Sequence, residues 1–338
     1  MAPVRASVRR RRTARARVLT AGVLGVVALT MGVSASSGQT SMAGLPAPPV
    51  MASTPYMSVD RIDYPVSDGV ADPQQNYMDL YLPTATRPGR LPLVILIHGG
   101  AWKSRVGAAS FTAFAVALAD RDLAVLNIEY RRVGRGGGWP TTFSDIAAAM
   151  DTIPALAQRF PRIDPRRSVV IGHSAGAQLA VWSATRRRPL PGDPSGPPRY
   201  RPALAVSISG PLDLRRAVRL GDRNPITVLG GTAAQVPGHF AAVDPIQNID
   251  PSVPIIAVVG SRDTTVPALL TYAYASAVHA DGGHAEVVVL AGQTHSSIVR
   301  TTSATFPQLL DEIVDATTEV GTTHQGRPAG TAPPTGGR

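Results

Sequence analysis

The candidate nucleophile of this chain is the serine of Gly172-His173-Ser174-Ala175-Gly176. Before it runs Ser168-Val169-Val170-Ile171, a β-branched segment that reads as a buried strand, and after it residues 177–184 read as a helix. Strand, tight turn and helix are the setting in which G-x-S-x-G forms a nucleophile elbow. Small flanking residues let the chain turn sharply enough to lift the hydroxyl out at the top of a sheet. The same turn leaves the amide of Ala175 free to donate. Upstream, Leu93-Val94-Ile95-Leu96-Ile97 is a second apolar strand, ending in His98-Gly99-Gly100-Ala101-Trp102. Two glycines there permit a loop whose amides point inward, and a fixed donor aimed at a developing oxyanion is worth about 3 kcal/mol of barrier. Gly99, Gly100, Ala101 and Ala175 are thus the candidate oxyanion donors, and acyl transfer through serine is the chemistry such a set would do.

A serine at neutral pH is a weak nucleophile and needs a base, which in turn needs an orienting carboxylate. In the elbow architecture the chain order is serine, acid, histidine. Residues 254–260 read as a strand followed by Ser261-Arg262-Asp263-Thr264-Thr265-Val266-Pro267, which places Asp263 in a loop that opens a helix. Residues 285–290 form a last strand, followed by Ala291-Gly292-Gln293-Thr294-His295-Ser296-Ser297. Of seven histidines, His295 alone follows both a strand and the acid in the required order. His98 and His173 lie inside the two glycine motifs and are expected to shape them. His239 falls in an irregular stretch, His279 and His284 flank a helix end and a turn, and His324 is in a polar tail. Asp213, after an earlier strand, is the rival for the acid, while Asp145, Asp244 and Asp250 read as capping or loop residues.

The HGGAW, GHSAG, GSRDTTVP and GQTHSS segments resemble the esterase/lipase branch of the α/β-hydrolase superfamily. The resemblance extends to bacterial carboxylesterases of the feruloyl-esterase-like and kynurenine-formamidase-like groups. Glu129-Tyr130-Arg131-Arg132 and Trp139-Pro140 share that pattern, and the likeness runs over about residues 77–314. It implies an α/β fold with a mostly parallel sheet flanked by helices, and a Ser174–His295–Asp263 triad acting on small-molecule esters. It implies no cofactor and no metal. It also implies a substrate pocket near Trp102 and Tyr130, and a preference for short acyl chains. The bulky Trp102 beside the oxyanion glycines departs from the HGGG of other lipases. Two other readings stay open: an amide hydrolase, formamidase- or peptidase-like, on the same site, and a secreted binding protein with a silent site.

Composition bounds the remaining possibilities. Arg5, Arg9, Arg10, Arg11, Arg12, Arg15 and Arg17 precede an apolar segment at 18–33 and the small-residue site Val33-Ser34-Ala35, with no acid before Asp60. This is the form of a secretory signal peptide over 1–35, and it predicts a secreted or cell-envelope protein. The apolar run is shorter than the roughly 20 residues of a spanning helix, so no stable membrane anchor is expected once the signal is cleaved. An anchor retained in uncleaved form is the alternative. Lipid attachment to cysteine is excluded, because the chain has no cysteine. The formal charge of +10 falls by seven to +3 once those arginines are set aside. The remaining clusters, Arg186-Arg187-Arg188 and Arg215-Arg216, lack interleaved aromatics, so nucleic acid is not an expected partner.

The elements that must hold these residues follow from periodicity. A linker is expected over 36–57, one catalytic domain over 58–320 and a disordered tail over 321–338. Apolar strand runs without alternation fit central parallel strands covered on both faces. Residues 78–82 alternate and read as the first strand, at a sheet edge. Helices are expected over about 110–119, 144–159, 175–185, 266–279 and 304–316. Residues 188–202 hold six prolines and read as a surface loop. The segment 221–250 reads as either a pocket wall or a long connection. The glycine-rich loop 133–139 is expected to be mobile, with a gating role over the site.

Overall fold

Continuous apolar runs in the middle of the chain become the inner strands of one eight-stranded sheet. The computed structural model describes residues 57–84, 89–103, 105–190 and 197–325. The strands are β1 (Met57–Asp63), β2 (Tyr77–Pro83), β3 (Leu91–Ile97), β4 (Ala124–Ile128), β5 (Ile163–His173), β6 (Leu204–Ile208), β7 (Ile255–Gly260) and β8 (Ala285–Leu290). Their order is β1-β2-β4-β3-β5-β6-β7-β8, and every pairing from β4 to β8 is parallel. Only β2 runs against the rest, pairing antiparallel with β1 and β4.

Alternation within each strand explains why the runs are apolar throughout. Leu93, Ile95 and Ile97 face one core, while Val94 and Leu96 face the other. The first core is covered by α2 (Thr141–Arg159), α3 (Ala175–Thr185) and α7 (Ala268–Ala280), through Phe143, Met150, Trp182 and Tyr274. The second is covered by α1 (Thr112–Ala119) and α8 (Phe306–Gln325), through Phe114, Leu118, Phe306 and Leu309. In α3 all eleven residues are buried, so it has no solvent face, and its polar side chains Gln178, Ser183 and Thr185 donate to backbone carbonyls inside the protein.

From β3 the chain crosses to β4 and then returns past β3 to β5, with α1 and α2 on opposite faces. Adjacent parallel strands whose connections leave in opposite directions open a crevice at their carboxyl ends, where ligands bind in open α/β sheets. The HGGAW loop follows β3 and the GHSAG elbow follows β5, with Ile97 paired to Gly172. The sheet thereby sets the two motifs side by side.

Several sequence expectations are corrected. Residues 78–82 lie inside the sheet, because β1 covers the edge; Met78 and Leu80 are fully buried. Strand β1 begins at Met57, within the stretch read as linker. Helix α8 continues to Gln325, five residues into the stretch read as a disordered tail. The expected signal peptide, residues 36–56 of the linker and the tail beyond 325 lie outside the described residues. Segment 221–250 holds two short helices, α5 (Asn224–Leu229) and α6 (Pro237–Val243), with Leu229 and Phe240 fully buried. A further short helix, α4 (Leu214–Arg219), precedes them.

Candidate active site

Ser174 stands between β5 and α3 with φ 56° and ψ −122°, a positive φ that a non-glycine residue rarely holds. Such strain persists only when the surroundings over-determine it. Its amide donates to Ile208 O at 2.9 Å, fixing the turn to β6. The flanking glycines are required by close approach. A Cβ on Gly172 would lie 2.0 Å from Gly176 O, and one on Gly176 would lie 2.1 Å from Ile97 O. Sharp turn, strained serine and closely packed helix are thus one geometric unit.

His295 reaches this turn from the loop after β8. Ser174 Oγ donates to His295 Nε2 at 2.9 Å, and His295 Nδ1 donates to Asp263 Oδ2 at 2.9 Å. The Asp263 side chain is closed off from solvent, while His295 is 13% exposed on its cavity side. The other carboxylate oxygen of Asp263 accepts the amides of Thr265 and Val266 at 2.9 and 3.0 Å. Burial opposes the charge on Asp263, but the bonds from His295 and Val266 outweigh it and hold the carboxyl below its usual range. The expected serine, histidine and acid are therefore brought together. Asp213 instead caps α4, accepting the amide of Arg216 at 2.8 Å.

The loop after β3 carries three successive positive φ angles, at Gly100, Ala101 and Trp102. His98 lies beneath it, fully buried, with Nδ1 2.7 Å from Gly99 O and Nε2 3.1 Å from Glu129 Oε1. Both ring nitrogens face acceptors. The carbonyl and amide of a trans peptide point in opposite directions, so engaging Gly99 O turns the Gly100 amide the other way. Glu129 also accepts the amides of Ala108 and Tyr130, each at 2.9 Å. Burial works against its charge, yet His98 and Arg132 hold the carboxyl below the usual range. Gly99 serves the site by close approach, since a Cβ there would lie 2.7 Å from His173 O and 3.2 Å from Ser174 Cβ. The amide of Ala175 heads α3, where first-turn amides have no partner within the helix.

A cavity of about 690 Å³ opens over these groups. Gly99, Gly100, Ala101, Trp102, Ser174, Ala175 and His295 all line it, so Trp102 stands where expected. Tyr130 does not. It is fully buried under the loop, stacked on His98 at 4.4 Å between ring centroids, and its hydroxyl donates to His98 O. The pocket assignment for Tyr130 is corrected to a supporting one. The start of segment 221–250, with Gly221, Asp222 and Asn224, lines the far wall, in keeping with the pocket-wall reading of that segment, whereas Leu220, Thr265 and Leu270 on the same wall were not foreseen. Their signal was position alone, in or just after the loops that follow β6 and β7.

Two further expectations change. The glycine loop 133–139 is pinned: Val133 donates to Trp102 O, Gly137 to Arg132 O, and Gly138 to Thr142 Oγ1. Its glycines meet positive φ at 134, 136 and 138 and do not line the cavity. Asp145 is inside α2 as a buried partner of Arg131 and Asn76, rather than in a cap. Among the described residues no cluster of His, Asp and Glu is arranged to hold a metal ion, and no helix is long and apolar enough to cross a membrane.

Comparison with known proteins shows the family and the fold. A family model described as BD-FAE matches residues 78–277. The chain is 27% identical over 243 residues to isoprenylcysteine α-carbonyl methylesterase of Arabidopsis thaliana, covering 67% of this chain and 55% of that protein. It spans about half the length of that curated relative. A truncated carbohydrate esterase from gut microbiota superposes with a TM-score of 0.65 at 19% identity, over 78% of this chain and 96% of that one. The propionate-bound esterase Est2 of Thermogutta terrifontis superposes with a TM-score of 0.62 at 23% identity, over 79% and 95%. At such identities the superpositions establish the shared fold.

Proposed function

Starting from a chain that belongs to the BD-FAE family of α/β-hydrolase esterases, we propose that it is a serine carboxylesterase for esters of short acyl chain. The observation that carries this reading is the unbroken line from Ser174 Oγ through His295 to Asp263, with both links at 2.9 Å. As Ser174 attacks the ester carbonyl, its proton passes to His295 Nε2. The proton on Nδ1 stays against Asp263, which holds the productive tautomer and stabilises the imidazolium. The oxyanion is received by amides of Gly100, Ala101 and Ala175, and the amino end of α3 adds its partial positive charge. The alcohol leaves with the proton from His295. Water then attacks the acyl-enzyme by the same route and releases the acid.

Short-acyl preference is supported by the buried side chains of Trp102 and Phe111 on the cavity wall, and by propionate in the similar Est2 structure. Small-molecule esters are the substrate class. The arginine-rich, apolar amino terminus supports export, and a mature product beginning after Ala35 in the medium of an expressing bacterium tests it. Initial rates on p-nitrophenyl esters from acetate to palmitate test the activity, with Ser174→Ala as control. Serine-dependent turnover highest on the short esters is expected. Loss of all serine-dependent ester turnover, with cleavage of N-formyl amides retained, would replace the reading by an amidase.

A further inference from the structure

His173 bridges two loops that the triad alone would leave joined by a single side-chain contact. It is the last residue of β5, adjacent to Ser174, and it is 9% exposed. Its Nε2 lies 2.7 Å from the backbone carbonyl oxygen of His295. Because that oxygen only accepts, Nε2 carries the proton and donates. Burial first, and then the neighbouring His295, push the imidazole down to about 4, so the ring is neutral and Nδ1 is bare at neutral pH. The two imidazoles lie 4.7 Å apart between centroids.

The backbone of the base loop is anchored on its opposite side by the acid loop. Arg262 N donates to Gln293 O at 2.9 Å, Gly292 N to Ser261 Oγ at 2.8 Å, and Ser261 N to Leu290 O at 3.0 Å. These bonds hold His295 to Asp263, and none of them reaches the nucleophile strand. The bond from His173 does, and it grips the base at its own peptide. A histidine inside G-x-S-x-G thus sits where a donor sets the distance between nucleophile and base.

Resting on the serine-esterase reading above, we infer that His173 is a positioning residue for His295: its Nε2–H clamps the His295 carbonyl and fixes the separation of Ser174 Oγ and His295 Nε2. It takes no part in the proton transfer itself. Loss of the clamp acts on turnover more than on binding: His173 lines the cavity beside Ser174, but a phenyl ring in its place keeps that stretch of wall while the proton-transfer geometry loosens.

The test compares His173→Phe, which keeps a ring without a donor, with His173→Gln, whose Nε2–H can reach the same carbonyl. On p-nitrophenyl acetate, His173→Phe should lower kcat by about 10- to 100-fold with KM within about twofold, the scale of a misplacement near 1 Å. His173→Gln should recover most of that loss. A kcat near wild type in His173→Phe, or equal impairment of both variants, would overturn the inference. A measurement on the unaltered chain stands if His173→Phe does not fold. In protein labelled with imidazole ¹⁵N, the His173 resonances, identified by their absence in His173→Gln, should show the neutral Nε2–H tautomer at pH 7. An Nδ1–H tautomer or an imidazolium there also overturns it. Ser174→Ala and His295→Gln run in parallel separate the two layers. If they keep turnover, the triad reading itself falls. If they abolish turnover while His173→Phe matches wild type, only the clamp falls.

Discussion

Replacing Gly176 by alanine puts a methyl group where the structure has backbone. Its Cβ would lie 2.1 Å from Ile97 O, 2.4 Å from His98 O and 2.8 Å from His98 C. Ordinary C···O contact begins near about 3.3 Å, so α3 and the end of β3 must part by about 1 Å. No rotamer can relieve the clash, because the neighbouring atoms are main chain. Alanine gains about 1 kcal/mol of helix propensity over glycine, while overpacking costs about 1–3 kcal/mol. A net loss of up to about 2 kcal/mol lowers Tm by up to about 8 °C in a domain of this size. The same 1 Å shift spreads the elbow from the oxyanion loop and should cut kcat by about 100-fold. Gly238→Ala is the matched control. It is exposed near the start of α6, with nothing within 4 Å of the added Cβ and no positive φ. It should leave kcat unchanged and raise stability by up to about 1 kcal/mol. Thermal unfolding by circular dichroism and kcat on p-nitrophenyl acetate read both. A Gly176→Ala enzyme that melts and turns over like wild type, or a Gly238→Ala enzyme that falls as far, would refute the packing account.

Asp263→Asn keeps the shape of the acid loop but favours the wrong His295 tautomer. Its kcat should fall by about 10⁴-fold, the scale set by the serine-protease triad, and a loss under tenfold would remove Asp263 from its role. Asp222 is the only lysine, arginine, aspartate or glutamate among the described cavity-lining residues, so a p-nitrophenyl ester bearing a free carboxylate should be a poorer substrate than its neutral analogue. Asp222→Asn should raise kcat/KM for the anionic ester by about fivefold, corresponding to about 1 kcal/mol of screened repulsion, and leave the neutral one unchanged. Equal effects on both esters would contradict this. Stability against pH carries a further test. Burial raises Asp244 to about 6, so its contribution is full below its unfolded value near 4 and is lost as pH rises through 6. His173, lowered to about 4, contributes fully above its unfolded value near 6.5 and loses that contribution as pH falls through 4. Each effect is about 3 kcal/mol at most, and they oppose one another over the same window. Asp244→Asn should therefore unmask the histidine, giving a urea midpoint that drops more steeply than wild type between pH 6.5 and 4.5. Parallel profiles in the two proteins would refute it.

The parts of the site legible in the sequence are those where chemistry and backbone geometry demand the same residue. Gly172 and Gly176 are forced by contacts near 2 Å, so the elbow is written into the chain as a pair of glycines at fixed spacing about the serine. Helix α3 runs over the residues expected of it, since a strained turn starts it and an apolar face continues throughout. Asp263 and His295 were legible because each follows an apolar strand, in an order the fold imposes. Polar strand β1, Met-Ser-Val-Asp-Arg-Ile-Asp, was not, since one partner on the edge asks little of its composition. Missing β1 turned the buried β2 into a supposed edge. Tyr130 misled for another reason: its place after β4 points to the cavity, but stacking on His98 draws the ring beneath the loop. The far wall comes from loops and short helices around α4 and α7, where tertiary packing decides direction and no period announces it.

The central claim is that Ser174 is the nucleophile, and a fluorophosphonate ester tests it most directly. Intact mass spectrometry of the treated protein should show a single phosphonyl adduct, with peptide mapping to Ser174 and parallel loss of p-nitrophenyl acetate hydrolysis. Ser174→Ala should take up no adduct and hydrolyse no ester. An adduct on another residue, or turnover retained by Ser174→Ala, would contradict the account.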